Sequence, residues 1–327
     1  MLQTHLLLLA FLAVSACSFP QYGLNKATPR IDSETLQRRL YDVGLPLLAA
    51  AVEWCPFEQD ATYGFFLRNQ PVGGAVSSPG TRAVPIVAYV HPRLPAAVAG
   101  LELGDRVIEV NTTKVEADGA EAVMQRIHRV TAARIQPLQL EVEHHAVRRT
   151  VVLWAKPACN FSLRLIESDV INGISNGRIM AVTTGAMQVF FRNDELAWIL
   201  AHELAHNILS HARNAQLRMM LNTFLRATAA GGRLPEQPSP EPRLLEAEAD
   251  YVGAYLMARA GYDLDAVERV WEQMRRLEGR QPAGQRGISH THPTTVERLA
   301  AFRGTRGEIE AKRRRGELLQ PQFAPVE

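Results

Sequence analysis

Two histidines stand four residues apart in the run His202-Glu203-Leu204-Ala205-His206. On a helix, positions i and i+4 share a face, so both imidazoles can reach one divalent ion at ~2.0–2.1 Å. Glu203 lies beside the first histidine on the adjoining surface. From there its carboxylate can take a proton from a water acidified by the metal, which is the chemistry of hydrolysis. This five-residue pattern fixes only three positions and needs completion. A catalytic zinc site takes three protein ligands and leaves one position open. Glu246, in Glu246-Ala247-Glu248-Ala249-Asp250, can supply the third ligand from a second helix. Asp250, again four residues on, shares that face. It can accept the other N–H of a ligating histidine, His202 first, and so fix the ring's tautomer and orientation. The set implies one Zn²⁺ per chain. Glu248 points away and reads as solvated.

These groups need helices to hold them. Asp194 is the expected N-cap of a helix carrying Leu196, Trp198, Ile199, Leu200, Leu204 and Ile208. Ala247, Ala249, Gly253 and Ala254 are small enough to let a second helix approach closely. Between the two, residues 231–242 hold four prolines. They cannot continue a helix and read as a surface loop, or alternatively as a cover over the cleft. Residues 160–305 are otherwise helical in pattern. The tail from Lys312-Arg313-Arg314-Arg315 onward reads as a solvated helix end.

A third motif, Ser289-His290-Thr291-His292-Pro293 with Arg298 after it, follows the other two in order. HExxH, then ExxxD, then a His-Pro segment with a following Arg together resemble the zinc metallopeptidases of the HtpX, BepA and CAAX prenyl endopeptidase family. That resemblance implies a mainly α-helical gluzincin-type domain with a small β-sheet. It implies His292 over the open metal position, either stabilising an oxyanion or blocking the site as a regulatory ligand. Arg298 becomes a supporting or oxyanion residue. The stretch Asn172-Gly173 to Gly185, with Ile179, Met180, Ala181, Val182 and Thr183, resembles that family's edge strand, to which substrate backbone would add. His290 and His211 match no motif position.

Further upstream, Ile86 to Val90, Arg106 to Val110, Leu138 to Val142 and Thr150 to Trp154 read as strands, and about 117–133 as a helix. The segment Pro95-Ala96-Ala97-Val98-Ala99-Gly100-Leu101-Glu102-Leu103-Gly104-Asp105-Arg106-Val107-Ile108-Glu109-Val110-Asn111 resembles the signature of bacterial PDZ domains. Gly100 suits a helix C-cap and Gly104-Asp105 a tight turn. Tyr63-Gly64-Phe65-Phe66 is either a carboxylate-binding loop or an ordinary turn. His91, His128, His144 and His145 read as surface residues.

At the start, an apolar stretch from Leu6 to Val14 leads into Val14-Ser15-Ala16-Cys17. It is too short to span a bilayer. This segment resembles a bacterial lipobox, with Cys17 lipidated, although no Lys or Arg precedes it; the alternative is an ordinary secretory signal with an incidental Cys. Ser18 after the Cys implies sorting to the outer membrane, facing the periplasm. Cys55 and Cys159 would then meet oxidising conditions and form a disulfide, or else remain two buried thiols. Ser33 to Leu40 reads as a short helix.

The 327 residues suit about two domains. With 46% hydrophobic and 21% charged residues the chain is not of disordered type, and a net charge of +2 gives no electrostatic case for a nucleic-acid partner. The expected architecture is α+β: signal peptide 1–16, tether and short helix 17–59, β-rich PDZ-like domain 60–157, zinc metallopeptidase domain 158–305 and polar tail 306–327. The expected function is endopeptidase action on unfolded or misassembled envelope proteins, in periplasmic quality control. The alternative is a latent metal-binding chaperone or assembly factor in which His292 blocks the zinc and the PDZ-like domain binds peptide. Sequence leaves the oligomeric state open.

Overall fold

The structure, a computed structural model, describes residues 15–17, 31–55, 59–71, 83–115, 118–132, 137–210, 242–278 and 295–322. It is a mixed helix-and-sheet fold with a β-rich region, divided into two compact units. The first strand, β1 (Ser15–Cys17), belongs to the unit taken second below.

One unit spans Ile31–Phe161 with Arg259–Tyr262. It opens with α1 (Ser33–Ala50), capped by Asp32, whose carboxylate accepts the Thr35 N–H at 2.8 Å and the Thr35 hydroxyl at 2.6 Å. The helix is longer than the Ser33–Leu40 reading. Leu36, Leu40, Val43 and Leu47 recur at 4, 3 and 4 residues and are all buried, and that face carries the helix through Pro46. Next, β2 (Gln59–Thr62) pairs antiparallel with β9 (Lys156–Cys159). Cys55 and Cys159 form a disulfide there, with Cα atoms 6.0 Å apart.

Six strands make the main sheet of this unit: β3 (Phe65–Pro71), β4 (Ala83–Val90), β5 (Arg106–Val110), β6 (Thr113–Lys114), β7 (Leu138–His144) and β8 (Val147–Leu153). Their order is β3-β4-β5-β7-β8, with β6 on β5, and every pairing is antiparallel. Leu138, Leu140 and Val142 alternate inward along β7. They meet Val107, Val110, Val151 and Leu153, and Val123 and Ile127 from α3 (Ala120–Ala132). A short helix, α2 (Pro95–Val98), precedes Gly100 and Gly104, whose φ values of +80° and +89° lie where a side chain would be strained.

Two histidines depart from the surface reading. His91 is buried, its Nδ1 accepting the Arg93 N–H at 3.1 Å and its Nε2 lying 3.3 Å from the Asp42 carbonyl oxygen. His144 places Nδ1 2.8 Å from Oδ1 of Asp105, a fully buried carboxylate that Arg149 also binds at 2.7 and 3.0 Å. Asp42 and Asp105, distant in the chain, supply partners that the local sequence does not announce.

The second unit comprises 1–30, Ser162–Ala258 and Asp263–Glu327. Its sheet runs in the order β1-β11-β12-β10, with β10 (Ser162–Ile166), β11 (Gly173–Ser175) and β12 (Ile179–Thr183). β12 is parallel to β10 and antiparallel to β11, so it is paired along both sides. Residues Ile179 to Thr183 therefore form an interior strand, not the expected edge. Met180, Ala181 and Val182 are fully buried, which suits a strand covered on both faces. Beyond β11 lies β1, the terminal strand of the sheet, which pairs antiparallel along it, Ser15 opposite Ser175 and Cys17 opposite Gly173.

The helices of this unit are α4 (Thr184–Val189), α5 (Asn193–Ile208), α6 (Pro242–Ala260), α7 (Asp265–Glu278) and α8 (Thr295–Arg315). α8 runs straight through the expected boundary at 305. What read as a solvated tail is held on α6: Glu308 accepts from Tyr255 at 2.7 Å and Tyr251 at 3.1 Å, and Lys312 donates to the Tyr255 oxygen at 2.7 Å. Beyond it, Gln322 N–H donates to the Tyr251 oxygen at 3.1 Å. Among the described residues no helix is long and apolar enough to cross a membrane.

Candidate metal centre

The centre is built on α5. This helix is buried from Glu195 through Asn207, so it is a core helix whose few polar groups must have a purpose. It starts two residues earlier than the Asp194 cap would place it. Arg192 sits at the cap, its N–H donating to Glu195 Oε2 at 3.3 Å, while Asp194 accepts the Asp263 N–H at 3.0 Å. α6 crosses α5 at Gly253, where an added Cβ would lie 3.3 Å from backbone atoms of Ala201 and His202. That close approach brings Glu246 and Asp250 to the histidines.

His202 Nε2 lies 3.2 Å from His206 Nε2 and 3.2 Å from Glu246 Oε2, and His206 Nε2 lies 3.3 Å from Glu246 Oε1. Bonds of ~2.0–2.1 Å in a tetrahedral site put ligand atoms about 3.3–3.4 Å apart. Two imidazole nitrogens and a carboxylate at these separations therefore fit a zinc ion, and they are the group among the described residues whose ligand atoms converge. All three side chains are buried.

Asp250 Oδ1 stands 3.0 Å from His202 Nδ1, on the far side of the ring from the ligand atom. Arg298 binds the same carboxylate with two bonds of 2.6 Å, from Nε and Nη2. Its guanidinium lies 4.0 Å from the centre of the Trp271 ring and 3.7 Å from Glu246 Oε2. Burial alone would raise the Asp250 carboxyl; the Arg298 charge and the hydrogen bonds from Arg298 and His202 outweigh it and hold the group below the usual aspartate range. Of the roles expected for Arg298, this position suits support, because its donors are engaged behind the histidine.

Glu203 is 0% exposed, and neither of its carboxylate oxygens has a hydrogen-bond partner among the described residues. Burial lifts its carboxyl above the ordinary glutamate range, opposed by the two nearby imidazoles and by the Ser175 hydroxyl, which faces it without a hydrogen bond of normal geometry. An orphaned buried carboxylate beside three converging ligands is suited to receive a proton. It rests on Gly173 of β11, where an added Cβ would come within 2.9 Å of Oε1.

The structure thus gathers His202, Glu203, His206, Glu246, Asp250 and Arg298. His292, His290, His211 and residues 231–241 lie outside the described residues, and of Cys17 only the backbone pairing is described. Gly173 falls in the stretch read as an edge strand, without a role of its own; Trp271 and Asn207 were missed by sequence reasoning. Asn207 directly follows the second histidine, which was the one available signal.

Residues 137–237 and 239–306 match the family described as Peptidase family M48. The chain is 27% identical over 180 residues to the mitochondrial metalloendopeptidase OMA1 of Schizosaccharomyces pombe, covering 51% of this chain and 53% of that protein. It is 30% identical over 165 residues to the mitochondrial metalloendopeptidase OMA1 of Homo sapiens, covering 43% of this chain and 31% of that one. The match spans about half of the first relative's length and about a third of the second's. A solved structure of the HtrA3 PDZ domain with a phage-derived ligand is 18% identical, covering 31% of this chain and 88% of that one, with a TM-score of 0.24; at that score the likeness assigns no fold.

Proposed function

Because the chain belongs to Peptidase family M48, we propose that it is a zinc-dependent endopeptidase of the HtpX and BepA kind. The observation that carries this reading is the triangle of His202, His206 and Glu246 with the unpartnered Glu203 carboxylate beside it. Zinc held by those three ligands supplies Lewis-acid polarisation of a peptide carbonyl and acidifies water. Glu203 takes the proton of the attacking water and returns it to the leaving amine as the C–N bond breaks. Asp250 holds the His202 ring in the orientation that points Nε2 at the ligand set. The substrate is extended polypeptide, paired through its backbone with the outer edge of β11, which reads main chain more than side chains. That favours unfolded or misassembled proteins. His292 acts at the open side of the site.

The remaining parts of the reading rest on sequence. The unit holding β3 to β8 is a PDZ-like module that selects or presents substrate. Cys17 is the lipid anchor, placing the enzyme on the outer membrane and facing the periplasm. The Cys55–Cys159 bond supports an oxidising compartment.

The test is cleavage of an unfolded protein by the full chain beside Glu203→Gln. Cleavage by the first alone, lost to a chelator and restored by zinc, is expected. Stoichiometric zinc with no cleavage would overturn the peptidase reading.

A further inference from the structure

Asn207 is 4% exposed, yet both ends of its amide are engaged. Its Oδ1 accepts the Gly177 N–H at 2.7 Å, and its Nδ2 donates to the Ile179 carbonyl at 2.9 Å. Gly177 lies in the turn that joins β11 to β12, and Ile179 is the first residue of β12. Gly177 has φ +85°, open to glycine, and Asn176 Oδ1 accepts the Arg178 and Ile179 N–H groups at 3.0 Å each. The turn is thus closed upon itself and bolted to α5 next to the ligand His206. At the other end of the same strand, Gly173 sits under the Glu203 carboxylate. α5 therefore grips β11 at both ends, through Glu203 at Gly173 and through Asn207 just beyond Ser175.

β11 itself is three residues long and has three register pairs with β12. So short a ladder fixes its own position weakly. Its outer edge is filled by β1 in antiparallel register, and under the lipoprotein reading Ser15 and Ala16 leave with the signal peptide, which frees that edge for another extended segment. A one-residue slip along such an edge moves the paired strand by about 3.3 Å. A misplacement of about 1 Å at a reacting bond can cost about a hundredfold in rate.

Building on the peptidase reading, we propose that Asn207 is the positioning residue that locks the outer edge of β11 in register with Glu203. A polypeptide paired along that edge then presents one carbonyl to the water that Glu203 deprotonates. Asn207 does not touch the reacting atoms. It acts through the Gly177 and Ile179 backbone.

The experiment compares two substrates with the same scissile bond. One is an extended peptide of about ten residues, able to pair with β11; the other is a blocked dipeptide, too short to do so. In the zinc-loaded full chain, Asn207→Ala is expected to lower kcat on the long peptide roughly tenfold or more, with KM changed less than about threefold. On the dipeptide the loss is expected to stay under about twofold, and zinc content is unchanged. Asn207→Asp keeps the acceptor for Gly177 and is expected to fall between; it serves also if the alanine variant does not fold. Equal losses on both substrates, or loss of zinc, would show a merely structural role and overturn the proposal. No change on the long peptide would do the same. If the unaltered chain cleaves neither substrate with zinc bound, the peptidase reading itself fails and takes this one with it.

Discussion

Asp250 and Asp105 occupy the same local arrangement in different units. Each is a buried carboxylate gripped by two bonds from one arginine, Arg298 or Arg149, and each faces the Nδ1 of one histidine, His202 or His144. The two differ on the far side of the imidazole. His202 turns Nε2 toward Glu246 and His206, each at 3.2 Å, in a closed interior. His144 is a quarter exposed and rests edge-on against His145. The Asp–Arg–His cluster is thus a way of stabilising a buried charge, and by itself it says nothing of chemistry. Chemistry follows from what the second nitrogen meets. Around Asp105 the same bonds fasten the turn at Gly104, where the carboxylate also accepts the Glu102 N–H at 2.8 Å.

The sharpest way to break this comparison is to remove both aspartates. Asp250→Ala leaves Arg298 buried without its partner, at a cost of about 3–5 kcal/mol, and should weaken zinc binding by about 10- to 100-fold. Asp105→Ala should destabilise less, because Arg149 is 32% exposed and can reach water, and should leave zinc affinity unchanged. Titration of zinc into each variant, with thermal melts, checks both; equal zinc affinities would refute the distinction. The second contrast is covalent. Reducing Cys55–Cys159, which spans 104 residues, should cost the β-rich unit about 2–5 kcal/mol, read as a lower denaturant midpoint. A smaller effect is expected of Gly173→Ala. Its Cβ would press on Glu203 Oε1 and Ile199 Cγ2, each at 2.9 Å, so cleavage should slow by about tenfold with zinc retained. The smallest concerns pH. Burial holds His91 below the usual histidine range. Its contribution to stability is complete above about pH 6.5, where the unfolded imidazole titrates, and is lost as pH falls toward the folded value. Melting temperatures of His91→Gln should show a shallower fall below that pH than those of the unaltered chain.

Much of the centre was legible because it is local. Two pairs at i and i+4, His202 with His206 and Glu246 with Asp250, follow from the helical repeat alone, and the structure puts these four side chains together. In the β-rich unit, β5 and β7 stand where alternation and turn residues indicate. Other features depend on partners distant in the chain. Ile179 to Thr183 is the most strand-like stretch near the site, so it reads as the strand that matters. The strand beside it, Gly173 to Ser175, falls in the same Asn172 to Gly185 segment but is three residues long, too short for pattern alone to separate. His91 and His144 look like loop histidines until Asp42 and Asp105 arrive from elsewhere. The half-buried run after residue 305 looks wholly solvated because Tyr251 and Tyr255, which hold it, lie on another helix.

The bond between Asp250 and Arg298 also imposes an order on assembly. The two residues are 48 apart, so α6 leaves the ribosome with a carboxylate whose counter-charge is not yet made. Until α8 docks, Asp250 lacks the Arg298 charge and keeps the His202 ring as a partner, so packing α6 against α5 is less favourable. Glu246 rides on the same helix. The hold of the third ligand on the two histidines is therefore completed by α8, although none of the three ligands lies on that helix.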